Sequence, residues 1–110
     1  MAPNLLVIHC DSMDGRAMHW AGHPAAHTPN LDRLVERGAG FTHAYCNNPQ
    51  CAPSRASLVS GRHTHRIAGW NNFKGLEPDD PTIFDDAEAA GYQVAKIGRR
   101  DYLSGGHSIG

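Results

Sequence analysis

The sequence has 110 residues, a formal net charge of −1 and acids interspersed with bases. That is the size of one ordinary domain, with no electrostatic footprint for nucleic acid or an anionic membrane. Its three cysteines, Cys10, Cys46 and Cys51, form neither a disulfide framework nor the Cys-x-x-Cys pairs of a structural zinc site, and no apolar run reaches the roughly 18 residues of a spanning helix.

Along the chain, Asn4 to Cys10 is a short continuous apolar run between Pro3 and Asp11, the pattern of a strand buried on both faces of a parallel sheet. It lacks a positively charged start and a small-residue cleavage site, so it reads as a first strand rather than a signal peptide. Asp11 to His27 carries Gly, Pro and His without period and reads as a loop. It lies at the carboxyl end of a strand, where open parallel sheets gather their sites.

Thr28 to Gly38 has every helix signal: a threonine cap, Pro29 at the first position, apolar residues at Leu31, Leu34 and Val35, and a terminal glycine. Ala39 to Tyr45 reads as the next strand, which completes a parallel crossover. After the turn-rich Cys46 to Gln50, Pro53 predicts a helix running to about Gly61, with Cys51 just ahead of its first turn. Arg62 to Pro81 has no period and reads as a long loop. Pro81 to Ala90 returns to helix, closed by Gly91. Tyr92 to Ile97 reads as a third strand, and loop follows from Gly98. The alternation predicts an α/β layered domain whose polar loops cluster at one edge of a parallel sheet.

The string Cys51-Ala52-Pro53-Ser54-Arg55-Ala56-Ser57-Leu58-Val59-Ser60-Gly61-Arg62 names a chemistry. A group at a helix start meets unpaired N–H groups and the positive end of the helix dipole, which stabilises an anion by about 0.3–1 kcal/mol. Arg55 lies one turn beyond Cys51 and shares that end of the helix. Physics alone leaves two readings: an anion site, or a structural cysteine beside a proline-capped helix with Arg55 on a solvated face.

Cys51, Pro53, Ser54, Arg55, Leu58, Gly61 and Arg62 together resemble the signature of type I sulfatases. The resemblance implies an alkaline-phosphatase-like α/β fold, a parallel sheet with flanking helices, of which residues 1–110 are the N-terminal part of a longer catalytic domain. It implies that Cys51 is the precursor of the catalytic nucleophile. A formylglycine-generating enzyme, for which Ser54 is part of the recognition sequence, oxidises the thiol to an aldehyde whose hydrate attacks sulfur. The hydrate's second hydroxyl then expels sulfate, and Arg55 assists at the same end of the helix.

The resemblance also implies a calcium ion, an oxygen-ligated cation that offsets the charge of a sulfate ester. Asp11 is its natural first ligand and the oxidised Cys51 another. Family members often carry two adjacent acids where this chain has Asp11-Ser12-Met13-Asp14, so Asp14 is the candidate for the second acid. Asp11 also fits a plain capping role in a strand-to-loop turn. The loop after the third strand resembles the family's Gly-Lys-x-His segment, with Arg99 in the place of the substrate-binding lysine and Asp101 in that of the histidine. Arginine keeps the charge and adds a fork. His107 supplies an imidazole for substrate or is an ordinary loop histidine, and His63-x-His65 is a metal pair or two solvated rings.

The strings from Trp70 to Leu76 and from Asp101 to Ile109 resemble the glucuronate 2-sulfatase branch. This implies a sulfated sugar such as a 2-O-sulfated uronate, or another sulfated small molecule, as partner, with Asn72, Lys74 and Arg99 as polar contacts. Two other readings stand beside it: a phosphoester or phosphonate hydrolase of the same superfamily, and a truncated anion- or metal-binding domain without catalysis. The resemblance implies that the later metal ligands lie outside this sequence and that the isolated chain has little sulfatase activity.

Overall fold

Helices form where the sequence supplies caps and small residues. In the computed structural model, which describes residues 2–98 and 101–104, these are α1 (Pro29–Arg37), α2 (Cys51–Ser60) and α3 (Ile83–Ala89), with 3-10 turns at His19–Ala21 and Thr64–Arg66. The chain divides into two units, Met1–Ala44 and Tyr45–Gly110. No helix of the described residues is long and apolar enough to cross a membrane.

In the first unit, α1 starts as its signals dictate, with Pro29 in its first turn and Asp32 N–H donating to the Thr28 carbonyl at 3.0 Å. Thr28 Oγ1 accepts the His19 N–H at 3.0 Å, and Asp32 Oδ1 accepts the Trp20 N–H at 3.1 Å. The 3-10 turn thus gives two donors that it cannot satisfy itself to the start of α1. His19 Nδ1 also pairs with Asp32 Oδ2 at 2.9 Å. The chain then returns at Gly40 so close to Val35 and Trp20 that a Cβ there would stand 2.9 Å and 3.0 Å from their side chains.

The second unit holds the core. Ala56, Val59, Ile67 and Leu76 are buried together, with Phe84, Tyr102 and Leu103 packed against them. Small residues on one face of α2 let the chain approach closely: Ala52, Pro53, Ala56, Ser57 and Val59 are its buried positions. Gly61, at φ 65°, ends the helix in the left-handed conformation that glycine adopts without a Cβ penalty. In α3, Thr82 N–H donates to Asp85 Oδ2 at 2.7 Å, the reciprocal half of a capping box. Phe84 of α3 meets the Tyr102 ring at 5.9 Å and carries the Lys96 ammonium 4.4 Å above its face.

The sheet expected from the apolar runs does not form among the described residues. Residues 4–10, 39–45 and 92–97 hold no strand assignment. A strand exists only when another backbone accepts from its N–H groups and donates to its C=O groups, and these runs have no such partner among the described residues. Leu5, Leu6, Val7 and Ile8 are correspondingly 73–86% exposed, and Ile97 is fully exposed. Among the described residues the β pairing is instead a single parallel bridge, Leu76 to Leu103, inside what reads as loop. Its bonds are Leu76 N–H to the Tyr102 carbonyl at 2.7 Å and Ser104 N–H to the Leu76 carbonyl at 2.9 Å.

That bridge requires a bare backbone at Gly75, where a Cβ would lie 2.4 Å from the Tyr102 carbonyl oxygen and 2.6 Å from the Leu103 carbonyl carbon. Gly75→Ala is therefore expected to cost about 1–3 kcal/mol or more through overpacking. Gly69→Ala in the same unit meets the Ile67 side chain at 3.4 Å and the Lys74 carbonyl oxygen at 3.7 Å, ordinary contact distances, and should cost under about 1 kcal/mol. Urea midpoints at unchanged m-value compare the two directly; equal shifts would contradict the close approach at Gly75.

Candidate functional site

Cys51 is the first residue of α2 rather than the residue ahead of it, because Gln50, extended at ψ 152°, already serves as the N-cap. The donors of this first turn are few. Ala52 N–H donates to Asn72 Oδ1 at 3.1 Å, Pro53 has no N–H, and Ser54 N–H donates to the Gln50 carbonyl at 3.0 Å. The N–H of Cys51 itself has no hydrogen-bond partner among the described residues. The positive end of α2 thus narrows to one open amide, that of Cys51.

The Cys51 thiol is free and half-buried. Arg55, one turn along the same face, is also half-buried and engaged in an interaction of its own, which disfavours the reading of a loose cation on a solvated face.

The far half of the signature string is scaffold. Ser57, 4% exposed, donates from Oγ to the Arg62 carbonyl at 2.7 Å and accepts the Asn47 carboxamide N–H. Arg62 Nη2 pairs with Asp80 Oδ1 at 2.8 Å, and Asp80 Oδ2 accepts the Glu77 N–H at 2.8 Å. The Arg62 hydrogen bond, then the Glu77 amide, hold the Asp80 carboxyl below its ordinary pKa. The His63 and His65 rings stack at 5.6 Å, and His63 Nδ1 lies 2.8 Å from Asn47 Oδ1. Among the described residues, no three or more His, Cys, Asp or Glu side chains stand together to hold an ion.

Two of the polar contacts suggested for an acidic sugar have other tasks. The Asn72 carbonyl is taken by the Ala52 amide, and the Lys74 ammonium pairs with Glu77, whose carboxyl that contact lowers in pKa. Asn47, Ser57 and Asp80 are functional supports that sequence reasoning missed. The turn-rich Cys46–Gln50 segment was the available signal for Asn47; nothing local marked the other two.

In the first unit, Asp11 is exposed at the end of its apolar run, followed by Ser12 in the left-handed region at φ 52°. Asp11 has an interaction of its own. Asp14 is clamped by Arg16: Nε to Oδ1 at 3.0 Å, Nη2 to Oδ2 at 2.7 Å, and the Arg16 N–H to Oδ1 at 2.9 Å. Both oxygens are occupied, so Asp14 must surrender the pair before it can ligate a cation. Carboxylates suit calcium chemically, but the described residues do not converge into a calcium centre. Arg99 and His107 lie outside the described residues. Asp101, in the place of the family's histidine, is buried at 3% exposure and engaged.

Cysteine at a helix start, arginine one turn on, and a scaffold built from the rest of the string define a class. The family model for the sulfatases matches residues 3–102, and the chain belongs to the sulfatase family. Within it, the chain is 44% identical over 107 residues to arylsulfatase K of Gallus gallus, covering 97% of this chain and 20% of that protein. It is 44% identical over 108 residues to arylsulfatase K of Homo sapiens (98% and 20%), and 38% identical over 107 residues to that of Danio rerio (97% and 20%). The chain thus spans about a fifth of the length of these curated relatives. No solved structure matches it.

The Arg16 clamp makes a pH prediction. The Arg16 hydrogen bonds, side chain first and backbone second, lower the Asp14 carboxyl to about 2, against an ordinary value of about 3.9. A depressed carboxyl pKa contributes stability that is complete above about pH 4 and is lost as pH falls toward 2. Carboxyl chemical shifts followed by NMR should titrate near pH 2 in the parent and return toward the ordinary range in Arg16→Ala. Because the pair is exposed, added salt should raise the parent value; an Asp14 that titrates alike in both proteins contradicts the clamp.

Proposed function

We propose that this chain is the nucleophile-bearing part of a sulfuric ester hydrolase in which Cys51 is converted to formylglycine by a formylglycine-generating enzyme. One hydroxyl of the aldehyde hydrate attacks the ester sulfur and the alcohol departs. The second hydroxyl then loses its proton, the carbonyl re-forms, and sulfate leaves. A thiol has no second hydroxyl and cannot complete this cycle. The observation that carries the reading is Cys51 at the first position of α2, with its own amide open and Arg55 one turn away, in a chain of the sulfatase family.

Within this reading Arg55 holds negative charge at the modified residue, and Arg99 and His107 contact the sulfate group. Asp11 is the carboxylate assigned to a calcium ion; Asp14 joins it only by leaving Arg16. The substrate class is a sulfated sugar or related small molecule, with a 2-O-sulfated uronate as the specific candidate. The names of the relatives support turnover of an aryl sulfate; the strings at residues 70–76 and 101–109 support the uronate.

Co-expression of the full-length protein with a formylglycine-generating enzyme should lower the mass of the Cys51 peptide by about 18 Da. Hydrolysis of an aryl sulfate should appear with it, and Cys51→Ala should remove that turnover by about a thousandfold or more. Faster turnover of an aryl phosphate than of the matching sulfate would move the chain to the phosphoester hydrolases. A Cys51 that stays a thiol while turnover persists would sink the mechanism.

A further inference from the structure

We infer that Asn72 is a positioning residue for the nucleophile, setting the direction of the Cys51 side chain through the Ala52 amide; this rests on Cys51 being the nucleophile's precursor. The Ala52 N–H lies in the same rigid peptide plane as the Cys51 carbonyl. When Asn72 Oδ1 holds that N–H at 3.1 Å, it fixes the plane and with it ψ of Cys51. On the other side, the Cys51 N–H shares its peptide plane with the Gln50 carbonyl, which accepts the Ser54 N–H at 3.0 Å. With both flanking planes held, the residue between keeps little freedom but χ1.

A side chain twenty positions away can orient a helix start only if it is itself held still, and Asn72 is. Asn71 Oδ1 accepts the Phe73 N–H at 3.0 Å and the Asn71 carbonyl accepts the Lys74 N–H at 3.3 Å, which closes a turn around Asn72. The next residues, Gly75 and Leu76, are buried against residues 102–104 by the parallel bridge, and Ser104 Oγ donates to the Gly75 carbonyl at 3.1 Å. The brace therefore runs from residues 102–104 through residues 75–76 to Asn72, then across to Ala52 and Cys51. A half-buried carboxamide in this place orients the backbone of the catalytic turn and does not contact substrate.

The test uses the full-length protein co-expressed with a formylglycine-generating enzyme, with rates expressed per mole of aldehyde found by peptide mass. Asn72→Ala should lower kcat about tenfold while KM stays within about twofold, because alignment of the nucleophile is lost and binding is not. Asn72→Asp keeps the acceptor oxygen and should recover most of that kcat. If Asn72→Ala does not fold, Asn72→Ser, too short to reach the Ala52 amide, should show the same loss. An unchanged kcat per aldehyde in the variants lacking the acceptor, or an Asn72→Asp as slow as Asn72→Ala, overturns the inference while leaving the sulfatase reading intact. A wild type with neither aldehyde nor turnover removes that reading and the inference together.

Discussion

Leu76 is the side chain on which the second unit depends. It is fully buried, in a cluster with Ala56 and Val59 of α2 and Ile67 of the following loop, and burying a leucine contributes about 1.5–3 kcal/mol. Its backbone is equally committed, since both of its polar groups bond to residues 102 and 104. One residue thus ties α2, the long loop and the segment near the predicted substrate-binding arginine. The arrangement holds only because its neighbour is glycine: any Cβ at position 75 would enter the backbone of residues 102–103. Small residues recur on the opposite wall, where Ala52 and Ala56 present the buried face of α2, so the loop can come near enough for Asn72 to reach the helix start.

The signature string divides its work along the helix axis. Its first two turns hold Cys51 and Arg55, the residues proposed for the chemistry, while Ser57, Gly61 and Arg62 end the helix and turn the chain. Ser57 closes onto the Arg62 carbonyl, and the Arg62 guanidinium then locks to Asp80 ahead of α3. A motif read as chemistry is therefore more than half architecture. The two parts serve one end, because a helix start is a well-defined position only if the far end of the helix is fixed too.

Local signals were legible and long-range ones were not. Thr28, Pro29 and Gly38 bounded α1 within a residue, and Pro53 with Gly61 bounded α2 to within two, since caps and breakers act through adjacent backbone. Strands at residues 4–10, 39–45 and 92–97 were inferred from apolar runs, but a run records only burial, and pairing is supplied by a distant chain. Residues 62–81 lack period and read as loop, yet contain Leu76; a single fully buried leucine leaves no periodic trace. Asn72 was legible as a polar residue of interest, but its partner, an amide twenty residues earlier, could not be read from residue types.

This placement bears on the kind of anion site that α2 can be. A helix start with several open amides binds any oxyanion, substrate and transition state alike, and such uniform binding lowers KM without raising kcat. Here Pro53 deletes one donor and Asn72 occupies another, so the dipole is expressed at the amide of residue 51 alone. On the proposed chemistry, that residue bears the attacking oxygen, whose negative charge is spent as it bonds to sulfur while charge develops on the departing alcohol. A donor fixed at that point, in a turn held on both sides, favours the deprotonated attacking oxygen over its neutral form, and the charge on the leaving group falls to other groups.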